Sequence, residues 1–230
     1  MQESNQAWIK LQRRIIRCRR CTRLAVYIRE VAKIKVRRYK NQKYWGKPIP
    51  GFGDVNARLL ILGLAPAAHG GNRTGRMFTG DSSGNWLIKA LYESGFANQP
   101  ESESRDDGLA LRDAFITAPV RCAPPGNRPS REEIQNCSQH LIAERHLLPN
   151  IQVVLALGRI AFDVCLRYLY PHVKPKLKFN HGAEYYFQGL PLLVVSFHPS
   201  RQNTQTGRLS WESWIKVFQR ITMHLEKNPR

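Results

Sequence analysis

Two patterns of apolar residues alternate along this chain, continuous runs and helical spacing. Four short runs are nearly continuous in apolar residues, as is typical of strands buried on both faces; they span 57–66, 113–122, 151–158 and 191–200. Elsewhere apolar residues recur at helical spacing, over 6–38 (interrupted at 18–21), 84–95, 130–147, 159–170 and 208–225. The alternation predicts an α/β fold, with helices on both faces of a parallel sheet. We interpret 1–230 as one domain, in which 1–50 form a basic N-terminal region.

Polar and glycine-rich segments follow three of the four predicted strands. They are the loops 64–81, 119–129 and 198–207. The carboxyl ends of parallel strands lie at one edge of a sheet, where ligands of such folds bind. The sequence therefore predicts that these three loops form one site. The segment Ser130–Glu133 has the pattern of a capping box, which predicts a helix start there.

Charge narrows the choice of partner. The chain has 36 Lys and Arg against 17 Asp and Glu, and between Lys10 and Lys43 there are fourteen basic residues with one acid, Glu30. Such a surface attracts a polyanion, which favours a nucleic-acid partner over a merely solvated basic face. An anionic membrane is a third hypothesis, without support from a lipidation signal or a long apolar stretch. The first twenty residues lack the apolar core of a secretory signal, so we expect a cytoplasmic protein with reduced thiols.

Four of the five cysteines form two pairs with metal-ligand character. Cys18 and Cys21 are a Cys-x-x-Cys, while Cys122 ends the second predicted strand and Cys137 lies in the next helix. Four thiolates suit either zinc or a four-iron cluster, and the spacing leaves both open. Cys165 lies in an apolar helix and is expected in the core.

The loop after the first strand lacks the usual phosphate-binding motifs. No Lys occurs between Arg58 and Lys89, so the loop is not a P-loop, and its glycines miss the dinucleotide spacing. Phe78 in this loop is either a core residue or a ring on which another ring stacks. His198 ends the fourth strand, at the same predicted edge, and the polar segment after it suits contact with nucleotides; that segment includes Arg201, Gln202 and Asn203.

Three segments together resemble the type-5 uracil-DNA glycosylases, the iron–sulfur enzymes of bacteria and archaea. The segments are GLAPAAHGGNRTGRMFTGDSSG, VRCAPPGNRP and HPSRQNTQTG, accompanied by the four cysteines. The resemblance implies a three-layer α/β/α sandwich around a four-stranded parallel sheet. It also implies a [4Fe–4S] cluster on Cys18, Cys21, Cys122 and Cys137, tying the basic N-terminal helices to the sheet. The implied function is excision of deaminated bases from DNA, which initiates base excision repair.

The resemblance also implies residue roles. Breaking an N-glycosidic bond leaves positive character on the sugar and negative charge on the base. Asp81 would stabilise the sugar and position water, although it also suits a helix N-cap. His198 would donate to the departing base, and Asn127 would help to orient water or base. The remaining residues fall into two groups: Gly63, Ala65, Phe78 and Ala118 would bind the base, and Arg73, Arg201, Gln202 and Asn203 would contact DNA.

One position predicts breadth of substrate. Uracil-strict relatives carry an Asn at the end of the second strand, where this chain has Ala118. A pocket without that polar group discriminates less, because the wrong base leaves no buried donor unpaired. We expect activity on uracil and hypoxanthine, with xanthine a further candidate, and a monomer. The alternatives are a uracil-only type-4-like glycosylase, a non-catalytic metal-bound DNA-binding protein and, more distantly, a nucleotide hydrolase.

Overall fold

A computed structural model describes residues 2–173 and 177–229, with a six-stranded sheet at its centre. In chain order its strands are β1 (Phe52–Gly53), β2 (Leu59–Leu62), β3 (Ala114–Thr117), β4 (Val153–Leu157), β5 (Glu184–Tyr185) and β6 (Leu192–Ser196). Across the sheet the order is β1-β3-β2-β4-β6-β5. The four central strands pair in parallel, and each lies within one of the four predicted apolar runs.

The expectation of a purely parallel four-stranded sheet was incomplete, because a short antiparallel strand lies on each side. At one edge β1 pairs with β3, and at the other β5 pairs with β6. Both edge strands have two partly buried residues, so they carry no apolar run that the sequence could reveal. They cover the backbone donors and acceptors of the parallel core, which would otherwise be open to pairing with another chain.

Helices lie on both faces of the sheet. In chain order they are α1 (Gln2–Ile16), α2 (Thr22–Ile34), α3 (Gly71–Thr74), α4 (Ser82–Glu93), α5 (Arg131–His146), α6 (Arg159–Val164), α7 (Arg201–Gln205) and α8 (Trp211–Lys227). Leu59 and Ile61 of β2 belong to the core that α4 and α8 cover, whereas Leu60 and Leu62 belong to the core covered by α1, α5 and α6. Alternating side chains thus divide the interior into two layers, as a three-layer sandwich requires.

Local signals in the sequence fix several helix ends. The Ser130 hydroxyl accepts from the Glu133 amide and the Glu133 carboxylate accepts from the Ser130 amide, which confirms the capping box. The N-terminal helical region divides into α1 and α2 at residues 17–21, around the Cys-x-x-Cys. Segment 198–207, predicted as a loop, contains α7. This helix has no apolar stripe, and the Ser200 side chain caps its first turn.

The carboxyl ends of β2, β3, β4 and β6 bring three loops together. The Gly63 amide donates to the Thr117 carbonyl at 2.9 Å, and the Gly158 amide donates to the Ser196 carbonyl at 2.8 Å. Both bonds extend the parallel ladder beyond the last strand residue. Among the described residues no helix is long and apolar enough to cross a membrane.

Candidate active site

Phe78 lies against the end of β2, where only a glycine leaves room for its ring. A Cβ on Gly63 would lie 2.7 Å from Phe78 Cε2, and a Cβ on Gly84 would lie 2.3 Å from the Phe78 carbonyl oxygen. Phe78 adopts a φ of +50°, a left-handed conformation that costs a non-glycine residue energy. The partly buried ring packs against the apolar core beneath α4 and leaves one side toward the strand ends. Phe78 is therefore both a neighbour of the core and a wall of the site.

Asp81 is the N-cap of α4, which confirms the helix-cap interpretation of this residue. Its Oδ1 accepts from the Gly84 amide at 3.0 Å. Its other oxygen points at the loop after β2, where a Cβ on Gly70 would lie 1.9 Å from Asp81 Oδ2. Gly70 thus lets the carboxylate reach the strand-end loop while it caps the helix.

Burial raises the pKa of Asp81, because an ionised carboxylate loses hydration in this position. Hydrogen bonds from the Gly84 and Ser83 amides oppose the rise. The positive charges of Arg73 and Arg201 also oppose it. The two guanidiniums come from different loops, which places Asp81 between the segment after β2 and the segment after β6.

Arg73 holds the loop closed, which differs from the DNA contact expected for it. Its guanidinium donates to the carbonyls of His69 at 2.7 Å and Gly80 at 2.9 Å, and to Gln42 Oε1 at 2.6 Å. Only 9% of the residue is exposed. Three of the five N–H donors of this guanidinium are bonded inside the protein and little of its surface is exposed, so its main role in this structure is internal. Arg73 instead fixes Gly80, and with it the backbone that leads into Asp81.

His198 lies beside Phe78 at the end of β6. The two rings are 5.9 Å apart between centroids with an interplanar angle of 27°. Gly158, after β4, provides the space on the other side, since a Cβ there would lie 3.3 Å from His198 Cβ. Burial lowers the pKa of His198 to about 4, so the imidazole is neutral at pH 7.

In the segment after His198, one of the three predicted DNA-contact residues supports the backbone and two are exposed to solvent. The Asn203 side-chain amide donates to the His198 carbonyl at 2.8 Å, so Asn203 positions the histidine backbone. Arg201 and Gln202 are exposed, and Arg201 Nε donates to Ser82 Oγ at 3.3 Å. This bond joins α7 to the first turn of α4, next to Asp81. The structure therefore brings Phe78, Asp81 and His198 to one place.

The end of β3 presents no polar side chain to this place. Ala118 is 2% exposed, and the Thr117 hydroxyl donates away from the site, to Glu144 Oε2 at 2.6 Å. Ala65 is partly buried in the loop after β2. Asn127 lies on an exposed turn with a φ of +56°, and among the described residues it has no hydrogen bond to Asp81 or His198. Its role as an orienting group stays a prediction.

The four paired cysteines surround one cavity. Its lining comprises Cys18, Cys21, Cys122 and Cys137 with Arg19, Arg20, Leu24, Ala25, Pro48, Val120, Arg121 and Asn136. Burial raises the pKa of Cys122, and the charges of the other three thiols raise it further. The three thiols are therefore close enough to Cys122 to affect its ionisation. The Asn136 side-chain amide lies 3.9 Å from Cys21 Sγ, and the Arg121 amide hydrogen-bonds to Cys137. Cys165 is fully buried in the core, as expected.

Four thiols line this cavity, and thiolates are the ligands both of structural zinc and of iron–sulfur clusters. The thiols surround a space with apolar walls and three arginines, which complement a group of net negative charge ligated by four thiolates. These residues fit an iron–sulfur cluster.

A buried ion pair joins the cysteine cavity to the strand ends. Arg121, beside Cys122, donates to Glu144 Oε1 at 2.9 Å and Oε2 at 2.5 Å, and both side chains are 1% exposed. Glu144 also accepts from the Gly51 amide at 3.0 Å. Sequence reasoning missed Glu144 and the structural role of Arg73. The sequence shows only that Glu144 is an acidic residue in the helix that begins after the capping box. An acidic residue at such a position does not reveal its partner.

The chain is similar to characterised glycosylases over most of its length. Residues 50–222 match the family described as the uracil DNA glycosylase superfamily. A type-5 uracil-DNA glycosylase of Thermus thermophilus is 48% identical over 201 residues, which cover 87% of this chain and 90% of the relative. Proteins of the same name from Pyrobaculum aerophilum and Mycobacterium bovis are 46% and 50% identical. Those matches cover 90% and 84% of this chain, and 88% and 72% of the relatives.

Proposed function

This chain belongs to the uracil DNA glycosylase superfamily and to its type-5 group, and from this premise we propose that it hydrolyses the bond between a deaminated base and deoxyribose in DNA. Its substrates are uracil and hypoxanthine, with xanthine a further candidate. The product is an abasic site, which base excision repair then processes. The observation that carries this proposal is the meeting of Phe78, Asp81 and His198 at one edge of the sheet.

The base must leave the duplex before it can reach these residues. An enzyme that acts on a base extrudes the nucleotide and stacks the base on an aromatic side chain. Phe78 is that aromatic ring. Gly63 and Ala65 have no side chain or a small one, which leaves space beside the backbone. The backbone of the loop after β2 holds the Phe78 ring in a defined position.

Asp81 acts on the sugar. Its carboxylate is held by amides at the start of α4, so it changes position little when positive charge develops at C1′. The ionised carboxylate stabilises that charge and orients the water that attacks C1′. The proton that water loses passes to the carboxylate. Capping and catalysis are therefore two uses of one carboxylate.

His198 acts on the departing base. A neutral imidazole is a hydrogen-bond donor through one ring nitrogen, and donation to a base oxygen stabilises the negative charge that the base acquires. Low solvation beside Phe78 keeps the ring neutral, and the Asn203 amide holds the backbone from which the ring projects. His198 thus stabilises the leaving group without transferring a full proton.

Broad specificity follows from the end of β3. Since Thr117 donates to Glu144 and Ala118 has only a methyl group, neither side chain selects a pyrimidine edge. A purine such as hypoxanthine then leaves no buried polar group unpaired. The uracil-only alternative requires a polar group of another origin to read the base.

Exposed groups near the site supply the DNA contacts. Arg201 and Gln202 lie on α7, directly after the histidine segment, and both side chains face solvent. Asn127 lies on the exposed turn after β3, from which it would approach the bound DNA and the attacking water. Asn203 and Arg73 serve the site from inside, through the His198 and Gly80 carbonyls.

Cys18, Cys21, Cys122 and Cys137 hold a [4Fe–4S] cluster in this proposal. When bound, the cluster supplies a covalent cross-link between the α1–α2 region, β3 and α5. A cluster gives purified protein a broad absorbance near 400 nm, and iron and acid-labile sulfide in about a 4:4 ratio per chain. About one zinc per chain without sulfide would support the zinc alternative instead.

Asp81→Asn tests the catalytic proposal. The amide can still accept from Gly84 and cap α4, but it cannot stabilise positive charge or take a proton. We expect uracil excision from an end-labelled duplex to fall by about 10²–10⁴-fold, while binding to an abasic-site duplex is retained. Asp163→Asn, at an exposed position of α6, is the matched control and should excise at the parent rate. Equal excision by the Asp81 variant would remove Asp81 from the catalytic machinery. A parent that binds DNA without making alkali-labile sites would favour the non-catalytic binding protein.

A further inference from the structure

A segment of the N-terminal region carries a dense and unpaired positive charge. We name residues 35–47 the basic strap; it has no acidic residue and contains Lys35, Arg37, Arg38, Lys40, Lys43 and Lys47. All of these side chains except that of Lys35 are exposed. The ion pairs found among residues 2–173 and 177–229 involve no strap side chain. The strap therefore presents positive charge that the described part of the chain does not neutralise.

The basic strap lies directly on the loop that contains Asp81. The Trp45 amide donates to the Arg73 carbonyl at 2.9 Å, and the Gly46 amide donates to the Asn72 carbonyl at 3.1 Å. The Trp45 ring fills the place of a side chain at Gly75, where a Cβ would lie 2.9 Å from Trp45 Cδ2. Main-chain bonds and ring packing together make the strap part of the outer wall of this loop.

Arg73 connects the basic strap to the catalytic backbone. Its guanidinium stacks on the Tyr39 ring at 4.0 Å and donates to Gln42, both in the strap. The same group donates to the Gly80 carbonyl, one residue before Asp81. Arg73 therefore adds a side-chain link between the strap and the backbone that leads into Asp81.

One cation from a second loop lies beside the strap. Two cations lie near the Trp45 ring, Lys47 Nζ at 5.5 Å and the exposed Arg105 guanidinium at 4.8 Å from its centroid. Arg105 comes from the loop between α4 and β3. Arg105 thus adds one cation beside the strap, and the charged residues nearest to it along that loop are the acids Glu101, Glu103, Asp106 and Asp107.

We propose that the basic strap binds the DNA phosphate backbone beside the extruded nucleotide. This inference rests on the proposed function and goes beyond it by naming the surface that holds the flanking duplex. A base that enters the loop brings its flanking phosphates to the outside of that loop, where the strap lies. Lys and Arg that neutralise phosphates release counterions, so the contact contributes affinity and salt dependence without base specificity. The fixed link through Arg73 keeps the bound backbone in register with Asp81.

The test compares two pairs of charge-neutralising substitutions. Arg37→Gln with Lys43→Gln removes two exposed charges from the strap, both outside the catalytic machinery and outside the bonds to Arg73. The matched control is Arg112→Gln with Lys227→Gln, which removes two exposed charges at the amino edge of the sheet. Each protein is titrated into a fluorescent duplex containing a tetrahydrofuran abasic analogue, at NaCl concentrations from about 50 to 200 mM.

We expect the strap pair to weaken binding by about tenfold or more and to reduce the slope of log Kobs against log[NaCl] by about two. The control pair should stay near the parent in both. Single-turnover uracil excision at saturating enzyme should match the parent, because Asp81 and His198 are untouched. A strap pair that binds like the control pair would overturn the inference. If the strap pair binds more weakly than the parent but the parent excises no uracil, the proposed function alone would be overturned.

Discussion

Glu144 offers the sharpest test of how the cysteine cavity and the strand ends are held together. Its carboxylate receives four donors, two from the Arg121 guanidinium, one from the Thr117 hydroxyl and one from the Gly51 amide. Both charged side chains are 1% exposed. Glu144→Gln keeps the size of the side chain, removes its charge and replaces one acceptor oxygen by a donor.

The expected loss is large because the substitution leaves a charge buried without its counter-charge. Removing one partner of a buried ion pair costs about 3–5 kcal/mol. The whole free energy of unfolding of a domain is about 5–15 kcal/mol. For a chain of this length, each 1 kcal/mol corresponds to about 2–4 °C in Tm. Glu144→Gln should therefore lower Tm by about 6–20 °C.

A second variant separates the orphaned charge from the lost hydrogen bonds. In Arg121→Met combined with Glu144→Gln, the glutamine can still accept from Thr117 or Gly51 and no unpaired guanidinium remains. This double variant should be more stable than Glu144→Gln alone. Asp163→Asn is the control, because the exposed pair with Arg159 contributes only about 0.3–0.5 kcal/mol.

Chemical denaturation with circular dichroism, together with thermal melts, measures all four proteins. The free energy of unfolding in water is compared at equal m-values, so that changes in the denatured state do not enter. A loss below about 1 kcal/mol for Glu144→Gln would refute the buried-pair argument, since that is the range of an exposed pair. A double variant as unstable as the single one would place the loss in the hydrogen bonds.

Three further predictions concern the site. Gly70→Ala places a Cβ within 1.9 Å of Asp81 Oδ2, so it should reduce uracil excision at least tenfold without removing any functional group. Gly189→Ala is the control: no atom lies within 4 Å of its Cβ, so the strain of its φ of +72° should lower stability and leave excision unchanged. Because burial raises the pKa of Asp81, the excision rate should reach half of its maximum at a higher pH than an ordinary aspartate would give. The pKa of His198 is about 4, so the pH profile should show no second inflection near pH 6.5, the ordinary pKa of histidine. A second, twofold change of rate near pH 6.5 would contradict the neutral imidazole. Ala118→Asn should lower excision of hypoxanthine relative to uracil by about 10–100-fold in parallel assays, and an unchanged ratio would assign discrimination to another group.

The sequence was informative wherever a local pattern decides the outcome. Periodicity located the four parallel strands, because a strand buried on both faces needs a continuous apolar run. Short-range chemistry located the caps at Asp81 and Ser130, whose partners lie three residues away. The grouping of three loops at one edge followed from parallel topology, since all carboxyl ends of such strands face the same way. Family membership was equally accessible, since the motifs are contiguous stretches of sequence.

Tertiary structure decided which polar groups meet. Arg73 and Arg121 are two of many arginines in a basic chain, and neither carries a mark of burial. Packing selects their partners, Gln42 at a separation of 31 residues and Glu144 at 23. Likewise, the approach of Asp81 to Gly70 depends on how a helix start folds back on a loop, and the antiparallel edge strands depend on which backbone is left unpaired. A hydrophobic pattern records whether a position is buried, whereas the partner of a buried charge is fixed only when distant segments share one interior of low dielectric.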